Sequence, residues 1–535
     1  MSDLNVLFVS IDSLRRDMLG AYDTPFDWVA DFDVATPNLD RFADRAITFE
    51  THYAGSLPCM PARREWDTGI QEFLWRGWGP LEAYDTTLAE KARNAGVLTK
   101  LLTDHFHLFQ HGSSGYYEDY HGFEFVRGHE DDLWKTAPYD PDPDLLRQVG
   151  YDLDDERDET TAEVTDAAAN PNHVLDPYDL QHYRPRWKYV RNVAGFDDDD
   201  ETDFFAAKVF SRAAEWLDAN TEWPQWLLRV DEFDVHEPFH CPEPYASMYT
   251  DEDPRDPDLP VWPYYGRVDR GQAKLTDREL AFVRSQFAGK VTMVDTWLGE
   301  LFDALDRNDL WEETAVVVTA DHGFLLGEHG WVGKMSPDFD LVARTPLFVW
   351  HPDSPRLGET VEALTSAVDL HATVLEMLTE DAGDAPHSRS LLPLIEGETT
   401  QHREKALYGW WHSDINVTDG THTYMVPIQE DVPLYNYSTT QMSAQSPFTP
   451  TSGYDNPEAG AFLPYTDVPV WRQRYPSASL LSEPRLYDTD ADPAQSRDLI
   501  DEAPEKRSEL ETLLRKALDE LAAPDEAYEQ YGVSQ

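Results

Sequence analysis

Short, uninterrupted apolar segments alternate with helix-like segments along most of this chain. The segment NVLFVSID at 5–12 is apolar on both faces, which is typical of a strand buried inside a sheet. Similar strands are predicted within 223–233, 314–323 and 345–352, and a long helix over 278–308. Strands that alternate with helices predict an α/β fold, with a large, mostly parallel sheet sandwiched by helices.

The composition of the chain changes in two places. Residues 115–203 are rich in Asp, Tyr and Pro, and we interpret them as a long acidic excursion on the surface. Beyond 398, segments such as ALYGWWHSDINVTDGTHTYMV predict antiparallel strands with tight turns, followed by an amphipathic helix. We therefore expect a large domain over 1–398 and a smaller C-terminal α+β subdomain with an antiparallel sheet over 399–535.

The chain is strongly acidic. Its 43 basic and 102 acidic residues give a formal net charge of −59. Nucleic acids and anionic membranes attract basic surfaces, so neither is an expected partner. At molar salt the Debye length is only about 3 Å, which screens such self-repulsion. We therefore expect a halophilic source, and a melting temperature that rises between dilute buffer and molar KCl.

The N-terminal sequence gives no sign of export. MSDLNVLFVSID lacks a basic n-region and a long apolar segment, so no signal peptide is predicted. No uninterrupted apolar stretch approaches the about 18 residues of a membrane span. The expectation is a soluble cytoplasmic protein. The sequence is compatible with an oligomer and does not specify one.

Three predicted strands end in acidic or histidine-containing turns. Asp12 follows the first strand, His236 follows RVDEFDV, and Asp321 with His322 follows TAVVVTA. Open α/β sheets bind ligands outside the carboxyl ends of their strands, so these side chains are expected at one edge of the sheet. A second interpretation remains open for the aspartates, because strand-end aspartates often cap helices.

Cys59 is one of only two cysteines and lies in GSLPCMPARR. Two cysteines are too few for a disulfide framework or a structural zinc site. Pro58 and Pro61 restrict the backbone on either side, and Arg63 follows four residues after the cysteine. If this segment is helical, Cys59 and Arg63 share one face. That arrangement suits a nucleophile beside an anion clamp. Cys241 is expected to serve packing alone.

These motifs together resemble the sulfatase family, the formylglycine-dependent branch of the alkaline phosphatase superfamily, in a haloarchaeal-type sequence. CMPAR matches the family's C-x-P-x-R signature, with Ala62 where the family often has serine. TPNLDRFADRAITFETHYAG, FDVHEPFHCPEPY, ADHGFLLGEHGWVGK and LYDTDADPAQSRDL resemble further family segments. The resemblance implies an alkaline phosphatase-like fold and a sulfatase-type catalytic domain over 1–398.

The resemblance also implies a reaction, that of a sulfuric ester hydrolase acting on small-molecule or glycan sulfate monoesters. A maturase would oxidise Cys59 to formylglycine, whose hydrated form would be the nucleophile and would form a covalent sulfo-enzyme intermediate. The expected catalytic residues are Cys59, Arg63, His236 and Lys334. Lys334, in GEHGWVGK, matches the lysine that contacts the charged oxygens of the substrate, and His236 matches the histidine of D-x-H-x-P.

A divalent metal is implied by the same resemblance. Asp12, Cys59, Asp321 and His322 match its ligands. Ser13, which stands where sulfatases often have a second aspartate, is a further candidate at the metal site, where its hydroxyl or a water would take the place of that carboxylate. Calcium is the first expectation. The Asp-His pair resembles the phosphonate monoester hydrolase and phosphodiesterase branch, and an imidazole ligand brings in Mn²⁺, Zn²⁺ or Fe²⁺ as alternatives.

One segment departs from the family pattern. Where sulfatases carry G-K-W-H, this chain has LLTDHFHLF, which places Asp104 at the position of the lysine. His105 and His107 are therefore the expected substrate contacts in this segment. An acidic side chain there would repel sulfate unless it is paired with a cation. The departure leaves the substrate class open.

Three alternatives remain. A phosphodiesterase or phosphonate monoester hydrolase on the same scaffold is favoured by the Asp-His pair and the missing lysine. An enzyme with an unmodified nucleophile is disfavoured, because those relatives use serine or threonine. A degenerate, sulfatase-like binding protein is disfavoured, because the chain retains together Asp12, Cys59, Arg63, Asp321, His322 and Lys334.

Overall fold

The computed structural model describes residues 4–22, 32–110, 115–136, 142–150, 185–334, 337–429, 432–440, 457–475 and 481–533. Part of the predicted acidic excursion, at 137–141 and 151–184, lies outside the described residues. Among the described residues, the excursion contains a strand and two short helices rather than loop alone.

An eight-stranded sheet forms the centre of the molecule, in the order β8-β2-β7-β6-β1-β5-β3-β4. Its strands are β1 Asn5–Ile11, β2 Ile47–Phe49, β3 Leu98–Thr103, β4 Gly122–Phe125, β5 Trp226–Glu232, β6 Thr314–Ala320, β7 Leu347–Trp350 and β8 Thr360–Val361. Strands β6, β1, β5, β3 and β4 run parallel, whereas β7 is antiparallel to both of its neighbours. The predicted mostly parallel sheet is confirmed.

Helices cover both faces of this sheet. The α-helices of the described residues are α1 Pro37–Ala43, α2 Cys59–Thr68, α3 Leu88–Asn94, α4 Pro143–Gln148, α5 Pro185–Asn192, α6 Phe205–Asn220, α7 Asp277–Arg307, α8 Asp340–Ala343, α9 Asp369–Thr379, α10 Leu392–Ile395, α11 Pro504–Glu520 and α12 Asp525–Gln530, and the last two pack in the C-terminal part instead. Alternate residues of β1 point to opposite faces of the sheet and pack in two different apolar cores. Leu7 and Val9 pack in one apolar core with α6 and α7, and Val6 and Phe8 pack in another with α3 and α9.

The C-terminal part adds an antiparallel sheet with its own apolar core. Its strands are β9 Ala406–Trp410, β10 Ile415–Thr418, β11 His422–Val426 and β12 Arg485–Asp488, and α11 packs against them. The short strand Ser56–Leu57 pairs in parallel with β9. This pairing attaches the segment just before Cys59 to the C-terminal sheet. The domain boundary near 398 stays a prediction.

Further short strands form small sheets beside these two. Leu325–Leu326 pairs with Trp331–Gly333, which pairs with Gly266–Arg267. His52–Tyr53 pairs with Thr365–Ser366, and Leu434–Ser438, Glu458–Gly460 and Val470–Tyr475 form a third small sheet. Within the part of the chain that the structure describes, no helix is both long and apolar enough to traverse a membrane.

Candidate active site

The three predicted strand-end turns meet at one edge of the central sheet. Strands β5, β1 and β6 are neighbours, so Asp12 and Asp321 follow adjacent strands directly. Ser13 turns the chain after β1 with a positive φ of 60°, and its backbone N–H donates to Asp321 Oδ1 at 3.0 Å. The prediction that these strand ends gather at one edge is confirmed.

Helix α2 brings Cys59 and Arg63 to the same edge. The helix begins at Cys59, and Arg63 lies one turn later, with Nη1 donating to the Cys59 carbonyl at 3.1 Å. The two residues share one helix face, as their spacing predicted. Both are buried, so the centre they form is enclosed by protein.

The Arg63 guanidinium binds carboxylates of the chain itself. Nε and Nη2 donate to the two oxygens of Asp231 at 2.8 Å each, and Nη1 donates to Asp321 Oδ2 at 2.6 Å. Nη2 also lies 3.2 Å from Asp12 Oδ2. Arg63 therefore neutralises and orients three buried carboxylates, rather than presenting a free anion clamp beside the cysteine.

Asp231 also belongs to this centre, although it was not among the residues predicted from the sequence. It lies within β5, is buried, and also accepts a hydrogen bond from Ser10 at 2.9 Å. Despite its burial, Arg63 holds its pKa below the ordinary value. Ionisable residues inside a strand predicted to be buried were the available signal, because a buried charge requires a partner.

Four side chains converge in a way that fits a metal ion. Asp12, Cys59, Asp321 and His322 each offer a donor atom, and these atoms lie within 4.8 Å of one another. Asp12 Oδ2 is buried and has no hydrogen-bond partner. His322 Nδ1 donates to the Gly323 carbonyl at 2.9 Å, which leaves Nε2 as an acceptor, 3.2 Å from Cys59 Sγ. Orphaned oxygen and nitrogen acceptors around one point are what a cation requires.

Ser13 supports Asp12 in this group. Its hydroxyl donates to Asp12 Oδ1 at 2.7 Å.

Burial and the charge of Asp12 raise the pKa of Asp321 to about 7. Two carboxylates held this close repel one another, and a cation between them would relieve that repulsion.

Lys334 lies against the sulfur of Cys59. Its Nζ donates to Sγ at 3.3 Å and lies 3.8 Å from Asp12 Oδ1. Burial disfavours the ammonium, but the neighbouring Cys59 and Asp12 outweigh it and raise the Lys334 pKa. Burial also raises the pKa of the Cys59 thiol well above its ordinary value, and the charge of Asp12 adds to this. As encoded, Cys59 is therefore a thiol and a poor nucleophile.

The predicted histidines lie at different depths. His105 is buried, with Nε2 3.5 Å from Asp12 Oδ2. His236 is buried near Lys334, and burial together with that charge lowers its pKa to about 3. Its Nδ1 donates to the Glu237 carbonyl at 2.7 Å, so Nε2 is free as an acceptor. His107 is partly exposed and binds Gln110 and Glu130, at 2.8 and 3.1 Å.

Asp104 does not join the Cys59 centre. Its Oδ1 accepts from the Phe233 backbone at 2.7 Å, and its charge interacts with that of Asp234. Burial raises its pKa well above the ordinary value, and the charge of Asp234 adds to this. Its surroundings therefore disfavour the charged form that would repel an anion.

Curated relatives are similar in sequence to this chain over most of its length. The multifunctional alkaline phosphatase superfamily protein PehA of Trinickia caryophylli is 25% identical and covers 78% of this chain and 82% of its own. An arylsulfatase of Clostridium perfringens is 22% identical, over 75% of this chain and 80% of its own.

Solved structures share the fold. The phosphonate monoester hydrolase of Agrobacterium radiobacter superposes with a TM-score of 0.61 at 19% identity, covering 97% of this chain and 95% of its own. A putative sulfatase of Bacteroides fragilis gives 0.57 at 16% identity, over 98% and 97%. A family model described as Sulfatase matches residues 4–380, well over half of the chain. The chain that carries this centre therefore belongs to the sulfatase family.

Proposed function

We propose that this protein hydrolyses sulfate monoesters at the Cys59 centre, after oxidation of Cys59 to formylglycine. One observation carries the proposal. Cys59 Sγ lies 3.2 Å from His322 Nε2 and 3.3 Å from Lys334 Nζ, where the donor atoms of the candidate metal site converge. The sulfatase family model and relatives named arylsulfatase and choline-sulfatase support sulfate ester chemistry.

The side chains of Asp12, Asp321 and His322, together with residue 59, would hold the divalent metal. Calcium is the first expectation, and the imidazole of His322 makes Mn²⁺, Zn²⁺ or Fe²⁺ alternatives. Such an ion supplies Lewis-acid polarisation and lowers the pKa of a bound hydroxyl. Arg63 holds Asp12 and Asp321 in place for it.

The other residues act on the substrate. Lys334 binds a charged oxygen of the sulfate, since its ammonium is buried beside residue 59. The neutral His236 presents Nε2 to the sulfate or to the leaving-group oxygen, and His105 lines the same space beside Asp12. When residue 59 is formylglycine, its hydrate supplies the attacking oxygen and a second hydroxyl, whose deprotonation releases sulfate and restores the aldehyde.

A second candidate is hydrolysis of phosphodiesters or phosphonate monoesters in the same centre. The Asp321-His322 pair and the absence of a lysine at Asp104 favour it. The fold shared with the phosphonate monoester hydrolase is compatible with it. Both candidates use the same side chains, so substrates rather than variants must separate them.

The test compares an aryl sulfate, a bis-aryl phosphate and an aryl phosphonate ester on one preparation. The protein is made with a formylglycine-generating maturase and assayed in molar salt, because its net charge of −59 needs screening. We expect the highest kcat/KM for the aryl sulfate. The highest value for the phosphonate or phosphate ester would favour the second candidate.

Cys59→Ala is the matched control for this comparison. Because the variant removes the nucleophile, turnover should be lost while the protein stays folded by circular dichroism. Residual activity above about a hundredth of wild type would contradict the role of residue 59. Equal, negligible turnover by both proteins would support the degenerate binding protein instead.

A further inference from the structure

A cavity of about 270 Å³ lies where the C-terminal part meets the rest of the chain. Three segments line it: the loop between α9 and α10, the segment that leads into β9, and the last turn of α11. Basic side chains are concentrated here, although acidic residues outnumber basic ones by 102 to 43 in the whole chain. The charged residues that line the cavity are Arg389, Arg403, Lys405 and Lys516, with Glu404 and Glu520.

Arg403 is held in a fixed orientation. Its Nε donates to Oδ2 of the buried Asp369 at 2.7 Å, and its Nη2 donates to the His387 carbonyl at 2.8 Å. Among the described residues, its Nη1 has no hydrogen-bond partner. A guanidinium that is fixed through two nitrogens and open at the third is pre-organised to bind an oxyanion.

His387 adds a neutral donor to the same cavity. Its Nδ1 accepts a hydrogen bond from the Gln71 backbone at 3.0 Å, so the ring proton is on Nε2. Burial and the charge of Arg403 lower the pKa of His387 to about 4, so the ring is neutral at physiological pH. No described residue accepts a hydrogen bond from Nε2. Because His387 lines the cavity, this N–H can donate to a ligand there.

The other three cations are paired with partly exposed glutamates. The buried Lys405 donates to Glu520 Oε2 at 2.8 Å, and Arg389 lies 3.8 Å from the same oxygen. Lys516 binds Glu404, and both of these side chains are about half exposed or more. Ion pairs with exposed partners contribute little to stability, so a bound anion can replace the glutamates at these cations.

The cavity also has an excess of positive charge. Its four cations are balanced by Glu404, Glu520 and Asp369 behind Arg403, so one positive charge is left over. Lys405 has further N–H donors beyond the one that binds Glu520, because an ammonium group carries three. Surplus donors and positive charge, in a chain of net charge −59, favour an anionic ligand at this place.

A network that serves stability alone looks different in this protein. The buried Arg64 uses all three of its guanidinium nitrogens on carboxylates of the chain. Its Nε and Nη2 donate to Asp85 at 3.1 and 2.6 Å, and its Nη1 donates to Glu72. Arg403 instead leaves one nitrogen unused and borders a cavity, which is the arrangement expected where a ligand completes the set of partners.

We propose that this cavity binds a doubly charged tetrahedral oxyanion, free sulfate or phosphate. Arg403, His387 and Lys405 approach it from two segments, and the oxygens of a tetrahedral ion accept from several directions at once. A water takes up about 30 Å³ of liquid, so the cavity has room for such an ion together with several waters. The site is separate from the Cys59 centre and does not depend on the reaction proposed there.

The test is equilibrium dialysis of the protein against labelled sulfate or labelled phosphate in molar KCl. Lys405→Gln should raise the dissociation constant of the cavity about tenfold, and Arg389→Gln about threefold, since each removes a charged donor. The Cys59 centre is the same in all these proteins, so the difference between them reports the cavity alone. Arg497→Gln, at an exposed position that does not line the cavity, makes the same change in net charge and should keep the wild-type value.

Several outcomes would overturn the proposal. Equal binding of both ions by wild type, Lys405→Gln and Arg389→Gln would place any bound anion elsewhere. An equal loss in Arg497→Gln would make net charge the cause. Nitrate, a planar ion with a single charge, should compete weakly, and competition as strong as that of unlabelled sulfate would contradict a site for a tetrahedral dianion. Weaker binding in the two cavity variants supports the proposal, and the ion that binds more tightly to wild type identifies its source. If Lys405→Gln does not fold by circular dichroism, the exposed Arg389→Gln decides.

Discussion

Two groups of buried charges lie side by side at the carboxyl edge of the sheet, and they are balanced in opposite ways. In the Cys59 centre, Asp12, Asp231 and Asp321 surround Arg63, and donor atoms point at a common space. The Lys290 cluster consists of Asp104, Glu232, Asp234, Lys290 and His129, all of them buried. There, Lys290 binds Asp234 directly, and His129 Nε2 lies 2.8 Å from Asp234 Oδ1.

Both groups contain buried carboxylates and basic side chains, but the charges of their carboxylates are controlled differently. In the Lys290 cluster, Lys290 and His129 outweigh burial and lower the pKa of Asp234 to about 2. Burial and neighbouring carboxylates raise the pKa of Asp104 and Glu232 well above their ordinary values. Lys290 and His129 thus pair the charge of Asp234 in the loop that carries His236, although Asp104, Glu232 and Asp234 each keep one buried oxygen without a hydrogen bond. The Cys59 centre leaves acceptors facing one another, ready for a cation.

A substitution in the Cys59 centre should have the largest effect on activity. Asp12→Asn removes a charged donor from the candidate metal site, so metal content and turnover should both fall. We expect kcat/KM for the aryl sulfate to fall about a thousandfold or more, since a metal supplies several kcal/mol of stabilisation. Metal analysis of the dialysed protein and steady-state kinetics measure this. Full metal content with full activity would contradict the assignment of the site.

Loss of Lys290 should affect stability first. Lys290→Met leaves the buried Asp234 without its ammonium partner and with His129 alone, which costs about 3–5 kcal/mol in the free energy of unfolding. Denaturant unfolding in molar salt measures it. The double variant Lys290→Met/Asp234→Asn removes both charges and should recover part of the loss. Equal destabilisation by the single and double variants would mean that the ion pair is not the cause.

The smallest effect is expected from Asp104→Asn. Burial already disfavours the charged carboxylate, and an amide oxygen can still accept from the Phe233 backbone, so stability should change by less than about 1 kcal/mol. Metal content and turnover should stay at the wild-type level. A large loss of activity would place Asp104 in the Cys59 centre after all.

The pH dependence of stability gives a second readout for Asp104. An acid whose pKa is raised in the folded state stabilises the fold fully below its unfolded pKa, about 4, and this contribution is lost as the pH rises towards the folded pKa. Wild type should therefore lose stability through this group as the pH rises above about 4 towards the folded pKa. Asp104→Asn should show a shallower decline. An identical slope in both proteins would contradict the raised pKa.

The parts of the site that follow from local rules could be predicted from the sequence. Asp12 and Asp321 come directly after buried strands, and Cys59 and Arg63 are one helical turn apart, so position along one element places each of them. The long helix and the mostly parallel sheet followed from periodicity in the same way.

The parts that depend on distant pairing could not be predicted. Lys290 lies in the middle of α7, and its partner Asp234 is in a loop 56 positions away. Asp231 meets Arg63 across 168 positions, and the strand Ser56–Leu57 joins a sheet formed mainly by residues beyond 405. No periodicity within one segment encodes such contacts. The contacts of Asp104, which stands at the position of the family's substrate-binding lysine, could not be predicted for the same reason.

The mass of the peptide that contains Cys59 tests the central claim most directly. Protein isolated from its native source should yield this peptide about 18 Da lighter than encoded, through conversion of the thiol to an aldehyde. The peptide that contains Cys241, which is buried away from the metal-site donors, should keep its encoded mass. An unmodified Cys59 in active native protein would contradict the formylglycine mechanism.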